Sequence, residues 1–132
     1  MKKVLSLLLF LAALFIVNPV QSQTKAKWAE KDAFHKVMSE TFHPAEEGKF
    51  EPIRQRSQEM VNAAIAWKNS VAPEGFNKDA IKKHLRKLVK DSKELTRKIK
   101  KDISDKDLKE ELTELHDLFH EMTEKCTGED HH

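Results

Sequence analysis

Apolar residues recur at helical spacing through four successive stretches of the chain, with polar turn signals between them. From about residue 25 to His43, the residues Phe34, Val37, Met38, Thr41 and Phe42 fall within about one third of the helical circumference, as in an amphipathic helix. Pro44 is predicted to end this helix, because the residue before a proline is pushed out of the helical region. The segment from Pro44 to Lys49 reads as a connection. Pro52 then sits where a first helical turn tolerates it. The second helix is predicted to run to about Ser70, with Ile53, Met60, Ala64, Trp67 and Val71 on its apolar face. Ala72 to Phe76 form the next turn, and Asn77 suits the N-cap of a third helix. The stripe of that helix is Ile81, Leu85, Leu88, Ser92, Leu95, Ile99 and Ile103. Ser104, with Asp107 three residues on, reads as the cap of a fourth helix. Its stripe is Leu108, Leu112, Leu115, Phe119, Met122 and Cys126, and Gly128 is the expected stop. Four amphipathic helices with short connections predict an all-α, up-down-up-down antiparallel four-helix bundle, in which the first and last helices are neighbours.

The bundle does not account for the start of the chain. Met1 to Ser22 reads as a secretory signal peptide: Lys2 and Lys3, a nearly continuous apolar run from Val4 to Val17, a break at Asn18-Pro19, and short residues before Gln23. The run is shorter than the about 20 residues of a membrane span. The expectation is a mature domain over residues 23–132, periplasmic or secreted, with no membrane span of its own. Removing the leader also changes the charge. The chain has 24 basic and 22 acidic residues, and the two sets become equal once Lys2 and Lys3 leave. A formally neutral exported chain argues against a nucleic-acid partner. The lysine-rich stretch from Lys82 to Lys101 is interleaved with the apolar stripe and reads as a solvated face. Cys126 is the only cysteine, so no internal disulfide can form. It is a core residue, a metal ligand or an intermolecular link that would make a homodimer, and its place in the apolar stripe favours the core.

The candidate chemistry lies in the histidines. Seven are present, and His131 and His132 sit on the tail. On a helical wheel with Leu115 at zero, His116 and His120 fall at about 100° and 140°, on one flank of the core face. Two imidazoles at positions i and i+4 can grip a single metal ion. His35 and His43 share a flank of the first helix but are two turns apart, about 12 Å along its axis. One ion cannot be held by both unless the helix breaks at Pro44. In an antiparallel bundle His35 is expected to approach His116 and His120, with Glu46, Glu47 or Asp32 nearby as oxygen donors. Three imidazoles and a carboxylate suit Zn²⁺, Cu²⁺ or Ni²⁺. The predicted ligands are therefore His116, His120 and His35, followed by His43 and Glu47. A boundary position on a helix also hosts an unliganded histidine readily. The case for a metal rests on four histidines carried by two neighbouring helices.

Tighter motifs fail on inspection. His116 to His120 is similar to the zinc-protease pattern, but Asp117 stands where the catalytic glutamate belongs. Asp32-x-x-His35 and Asp117-x-x-His120 are similar to the Glu-x-x-His pairs of di-iron bundles, yet the two further core glutamates are missing from the second and third helices. No glycine-rich phosphate loop and no nucleophile–histidine arrangement is evident, so no enzyme activity is expected.

In length, leader, helix order and a histidine in the last helix, the chain resembles the periplasmic four-helix cytochromes, cytochrome c-prime and its b-type haem-binding relatives. That resemblance implies haem held between Met38 and either His116 or His120. The Cys-x-x-Cys-His attachment of the c-type members does not occur here. The flank position of the histidines also differs from a haem ligand pointing into the bundle. A third reading is a ligand-free structural or stress-related bundle, with Trp28, Phe50 and Phe76 near helix ends as contact residues.

Overall fold

The structure is a computed structural model that describes residues 26–127. The leader, the expected stop at Gly128 and the two tail histidines lie outside the described residues. Four helices follow in order: α1 (Ala29–Glu46), α2 (Glu51–Asn69), α3 (Lys82–Lys100) and α4 (Asp105–Thr127). Each packs on the next, and α1 closes the ring against α4, while the backbones of diagonal pairs stay apart. This is the expected all-α up-down bundle. No helix among the described residues is long and apolar enough to cross a membrane.

The predicted stripes line the core. Phe34, Val37, Met38 and Phe42 of α1 are buried with Ile53, Met60, Ala64 and Trp67 of α2. Leu85, Leu88 and Leu95 of α3 meet Leu108, Leu112, Leu115, Phe119 and Met122 of α4. Trp28 is fully buried, and its Nε1 donates to Ser70 Oγ at 2.7 Å. Phe76 packs on the Trp28 ring at 5.5 Å between centroids, and Phe50 is also packed against the core. These three aromatic residues thus cap the ends of the core. Among the described residues, the buried apolar side chains run from Trp28 to Cys126 and form one core cluster.

Two sequence expectations fail, each for a local reason. Pro44 does not end α1, which continues to Glu46. A proline in the last turn costs one hydrogen bond, and continuing the helix buries Ala45. The helix stops instead in a Schellman motif: the Gly48 N–H reaches the Ala45 carbonyl at 3.0 Å and the Lys49 N–H reaches the Pro44 carbonyl at 2.9 Å. Gly48 has φ +81°, a left-handed conformation that glycine adopts at no steric cost. Val71 is not part of the apolar face of α2. The helix ends at Asn69, Ser70 turns extended, and Val71 is 88% exposed.

The predicted caps are present. The Asn77 side-chain oxygen accepts from the Ala80 N–H at 3.1 Å, opening α3 through a single 3-10 turn, Asp79–Ile81. Ser104 Oγ accepts from the Asp107 N–H at 3.1 Å at the start of α4. Between them, α3 ends in a second Schellman motif, with Asp102 N–H to Ile99 and Ile103 N–H to Lys98, each at 3.1 Å. Here the left-handed residue is Asp102, at φ +56°. An L side chain is strained in that conformation. Asp102→Gly should therefore stabilise the fold by about 0.5–1 kcal/mol, while Gly48→Ala at the matching position of α1 should destabilise it by about the same amount. Urea denaturation midpoints at unchanged slope check both.

Candidate metal centre

Packing α4 against α1 brings three imidazoles to one groove. The ring of His116 lies flat on Phe42 of α1, with centroids 3.9 Å apart and planes 14° apart. The ring of His35 lies in the same manner on Phe119 of α4, at 5.0 Å and 13°. Each helix thus offers a phenylalanine at the edge of its core face as a platform for the other helix's histidine. The helical repeat does the rest: His120 follows His116 by one turn, and their Nε2 atoms are 3.1 Å apart. His116 is half-buried, whereas His120 and His35 are exposed.

At the 3.1 Å between the two Nε2 atoms, one ring nitrogen can donate to the other, the roles depending on the tautomer. With metal–nitrogen bonds of about 2.05 Å, the 3.1 Å separation corresponds to an angle of about 98° at an ion bound to both. That value lies between the square-planar and tetrahedral ideals. On the far side of the His116 ring, Nδ1 lies 3.6 Å from Asp117 Oδ1, too far for a hydrogen bond.

His35 is close enough to the pair to be affected by its charge. Partial burial pushes the His35 imidazole below its ordinary value, and Lys31, His120 and His116 act in the same direction. Asp32 opposes them.

The other expected ligands are elsewhere. His43 turns its Nδ1 to Glu46 Oε2 at 3.4 Å, and Glu47 faces Lys49 at 3.3 Å. Because α1 runs unbroken through Pro44, nothing swings His43 towards the pair. Among the described residues, no group of three or more His, Cys, Asp or Glu side chains is placed to hold one ion. The expected set of three imidazoles and a carboxylate is therefore not assembled among the described residues; of that set, His116 and His120 stand Nε2 to Nε2 at 3.1 Å. Cys126 is buried, its Sγ donates to the Thr123 carbonyl at 3.5 Å, and burial pushes its thiol up from the ordinary range. It packs as a core residue.

Comparison with protein families, with characterised proteins and with solved structures finds no match. The likeness to four-helix cytochromes is one of architecture only. Met38 is buried in the core as that likeness requires. The two candidate partners, however, lie on the flank, one stacked on Phe42 and the other exposed.

The stacking platforms were not foreseen. The signal available was that Phe42 and Phe119 each stand beside a histidine at the margin of a core stripe.

The depressed His35 value has a thermodynamic consequence. Below pH about 6.5 the unfolded chain takes up a proton at His35 that the native state resists, so stability is lost as pH falls through that value. Because His35 is exposed, the effect is modest. In metal-free protein, the drop in melting temperature from pH 7.5 to pH 5.5 should be smaller for His35→Gln than for wild type. Equal drops would contradict this.

Proposed function

We propose that this chain is an exported, periplasmic or secreted four-helix bundle that binds a transition metal ion (Zn²⁺, Cu²⁺ or Ni²⁺) without catalysing a reaction. The observation that supports it is the convergence of two imidazole Nε2 atoms, 3.1 Å apart, on one exposed turn of α4. His116 and His120 are the bidentate grip. His35 is the third ligand, reached by a rotation off the face of Phe119. His43 and Glu47 face Glu46 and Lys49 and lie outside this grip. An open, water-accessible pair of this kind suits capture and release better than permanent structural binding, since closed structural sites use four protein ligands.

The haem reading asks one of these histidines to turn inward between packed helices. The stacking of His116 on Phe42 opposes that rotation.

The test is competitive titration of metal-free protein with Zn²⁺, Cu²⁺ and Ni²⁺. Losing even an outer-shell partner of a metal ligand costs about 10–100-fold in affinity. His116→Ala and His120→Ala should each cost at least that much, and the double variant should bind no better than an unstructured control. His35→Ala should fall between these and wild type, and His43→Ala should differ from wild type by less than about threefold. Binding should weaken from pH 7.5 to pH 5, because metal uptake competes with imidazole protonation. Unchanged affinity in the double variant, or at the two pH values, would sink the reading. A Soret band in purified protein would move it to haem.

A further inference from the structure

The outward face of α3 carries an unbroken stripe of positive charge. Of the residues from Lys82 to Lys101, ten are lysine or arginine and two are acidic. At about 100° per residue, Arg86, Lys90, Lys93 and Arg97 fall within about 40° of the point opposite the core residue Leu88. Lys82, Lys83, Lys100 and Lys101 widen the same arc, and all eight side chains are exposed. Asp91 and Glu94 fall outside it. Among the described residues, the ion pairs that α3 makes engage the stripe only at Arg97, which meets Glu94; the others are Lys87 with Asp91, Lys98 with Glu111 of α4 and His84 with Glu121 of α4. Among the described residues, Lys82, Lys83, Arg86, Lys90, Lys93 and Lys100 have no carboxylate within ion-pair distance.

Such a face is costly to an isolated domain. Like charges three and four residues apart destabilise a helix, and here the pattern repeats along its whole length. A covering anion relieves the repulsion. The neighbouring helix is opposite in character: eight acidic residues against three lysines lie between Asp105 and Thr127. The chain carries a formal net charge of only +2 but is electrically polar, which orients it in the field of a charged surface.

The side chains narrow the identity of that surface. The stripe contains no aromatic residue on which a base could stack, as single-stranded nucleic acid requires. It contains no apolar side chain to fill a protein interface or enter a bilayer, and Val71, the exposed large hydrophobic residue among those described, lies outside it. What it offers is a straight row of mostly lysine point charges about 28 Å long. At one end the row opens into a cleft between α2 and the start of α3, lined by Lys68, Lys78, Lys82 and Arg86 with Asp79 and Leu85. A flat field of phosphate groups matches both features.

We propose that α3 lays this face on a bilayer rich in anionic phospholipid, held by headgroup electrostatics without insertion. Since α3 is diagonal to α1 in the ring, the imidazoles of the α1–α4 groove stay open to solvent in the adsorbed protein. The proposal is independent of metal binding.

The test is co-sedimentation of the segment from Gln23 onward with vesicles of phosphatidylcholine, with and without one third phosphatidylglycerol. Wild type should bind the mixed vesicles at low salt, ignore pure phosphatidylcholine, and be released at molar salt, where the screening length is only about 3 Å. The variant Lys83→Gln/Arg86→Gln/Lys90→Gln/Lys93→Gln keeps helix propensity, and its helical circular dichroism should match wild type. Its affinity should fall by on the order of a hundredfold or more, from a few-fold per surface cation. A control with the same net charge, Lys36→Gln/Lys49→Gln/Lys106→Gln/Lys109→Gln, should stay within about threefold of wild type. The wild-type lipid and salt dependence stands even if a variant misfolds. No binding to mixed vesicles at low salt, or an equal loss in the control, overturns the proposal. So does duplex DNA that strips the protein from vesicles at equal phosphate concentration, which would reassign the stripe to nucleic acid.

Discussion

The fold hangs on three aromatic rings that meet at the centre of the bundle. Trp67 of α2 lies 5.8 Å from Phe34 of α1 and 5.8 Å from Phe119 of α4, and Phe34 and Phe119 are 5.7 Å apart. The backbones of α2 and α4 are diagonal and do not approach, so the large indole spans the interior and joins what the ring of helices leaves apart. Rings of this size each bury about 150–250 Å², and their tilted contacts add to that burial. Trp67 also contacts Trp28, edge to face at 5.9 Å, which extends the cluster to the end of the bundle.

The same triad fixes the histidine groove between α1 and α4. Phe119 is held on one side by Trp67 and Phe34, and on the other it presents its face to His35. Its position sets the rotation of α4, which decides that His116 meets Phe42 and that His120 stands one turn further out. The rigid part of the site is thus the core, and the imidazoles are its outer layer. An ion held here would sit on a well-packed support while keeping open positions to water or to another donor. Charge is arranged on a larger scale by the same rotation. α3 turns its cations away from the core, α4 turns its carboxylates outward, and Lys98 with Glu111 joins the two helices where these fields meet.

Much of this was legible in the sequence, because it depends on periodicity. Four stripes at helical spacing gave four helices, and Ser104 and Asn77 marked two starts correctly. The helical wheel placed His116 and His120 on one flank, which is where they lie. What was not legible depends on tertiary compensation. Pro44 looks like a helix end from local sterics, yet burial of Ala45 and the turn at Gly48 carry α1 past it. Asp102 shows no sign in the sequence of a left-handed conformation, which the Schellman hydrogen bonds impose. His43 shares a flank of α1 with His35 on the wheel, two turns away. Only the axial position of α4 separates them, since His35 meets Phe119 while His43 faces Glu46.

The central proposal is that one metal ion is held by the Nε2 atoms of His116 and His120. Nitrogen-resolved NMR of the imidazole rings reads this directly, because Nδ1 and Nε2 give separate signals. On addition of one equivalent of Zn²⁺, the account predicts that the Nε2 signals of His116 and His120 shift first and together, with His35 following and His43 left in place. Imidazole signals that ignore the ion, or a response centred on His43 or His84, would contradict it.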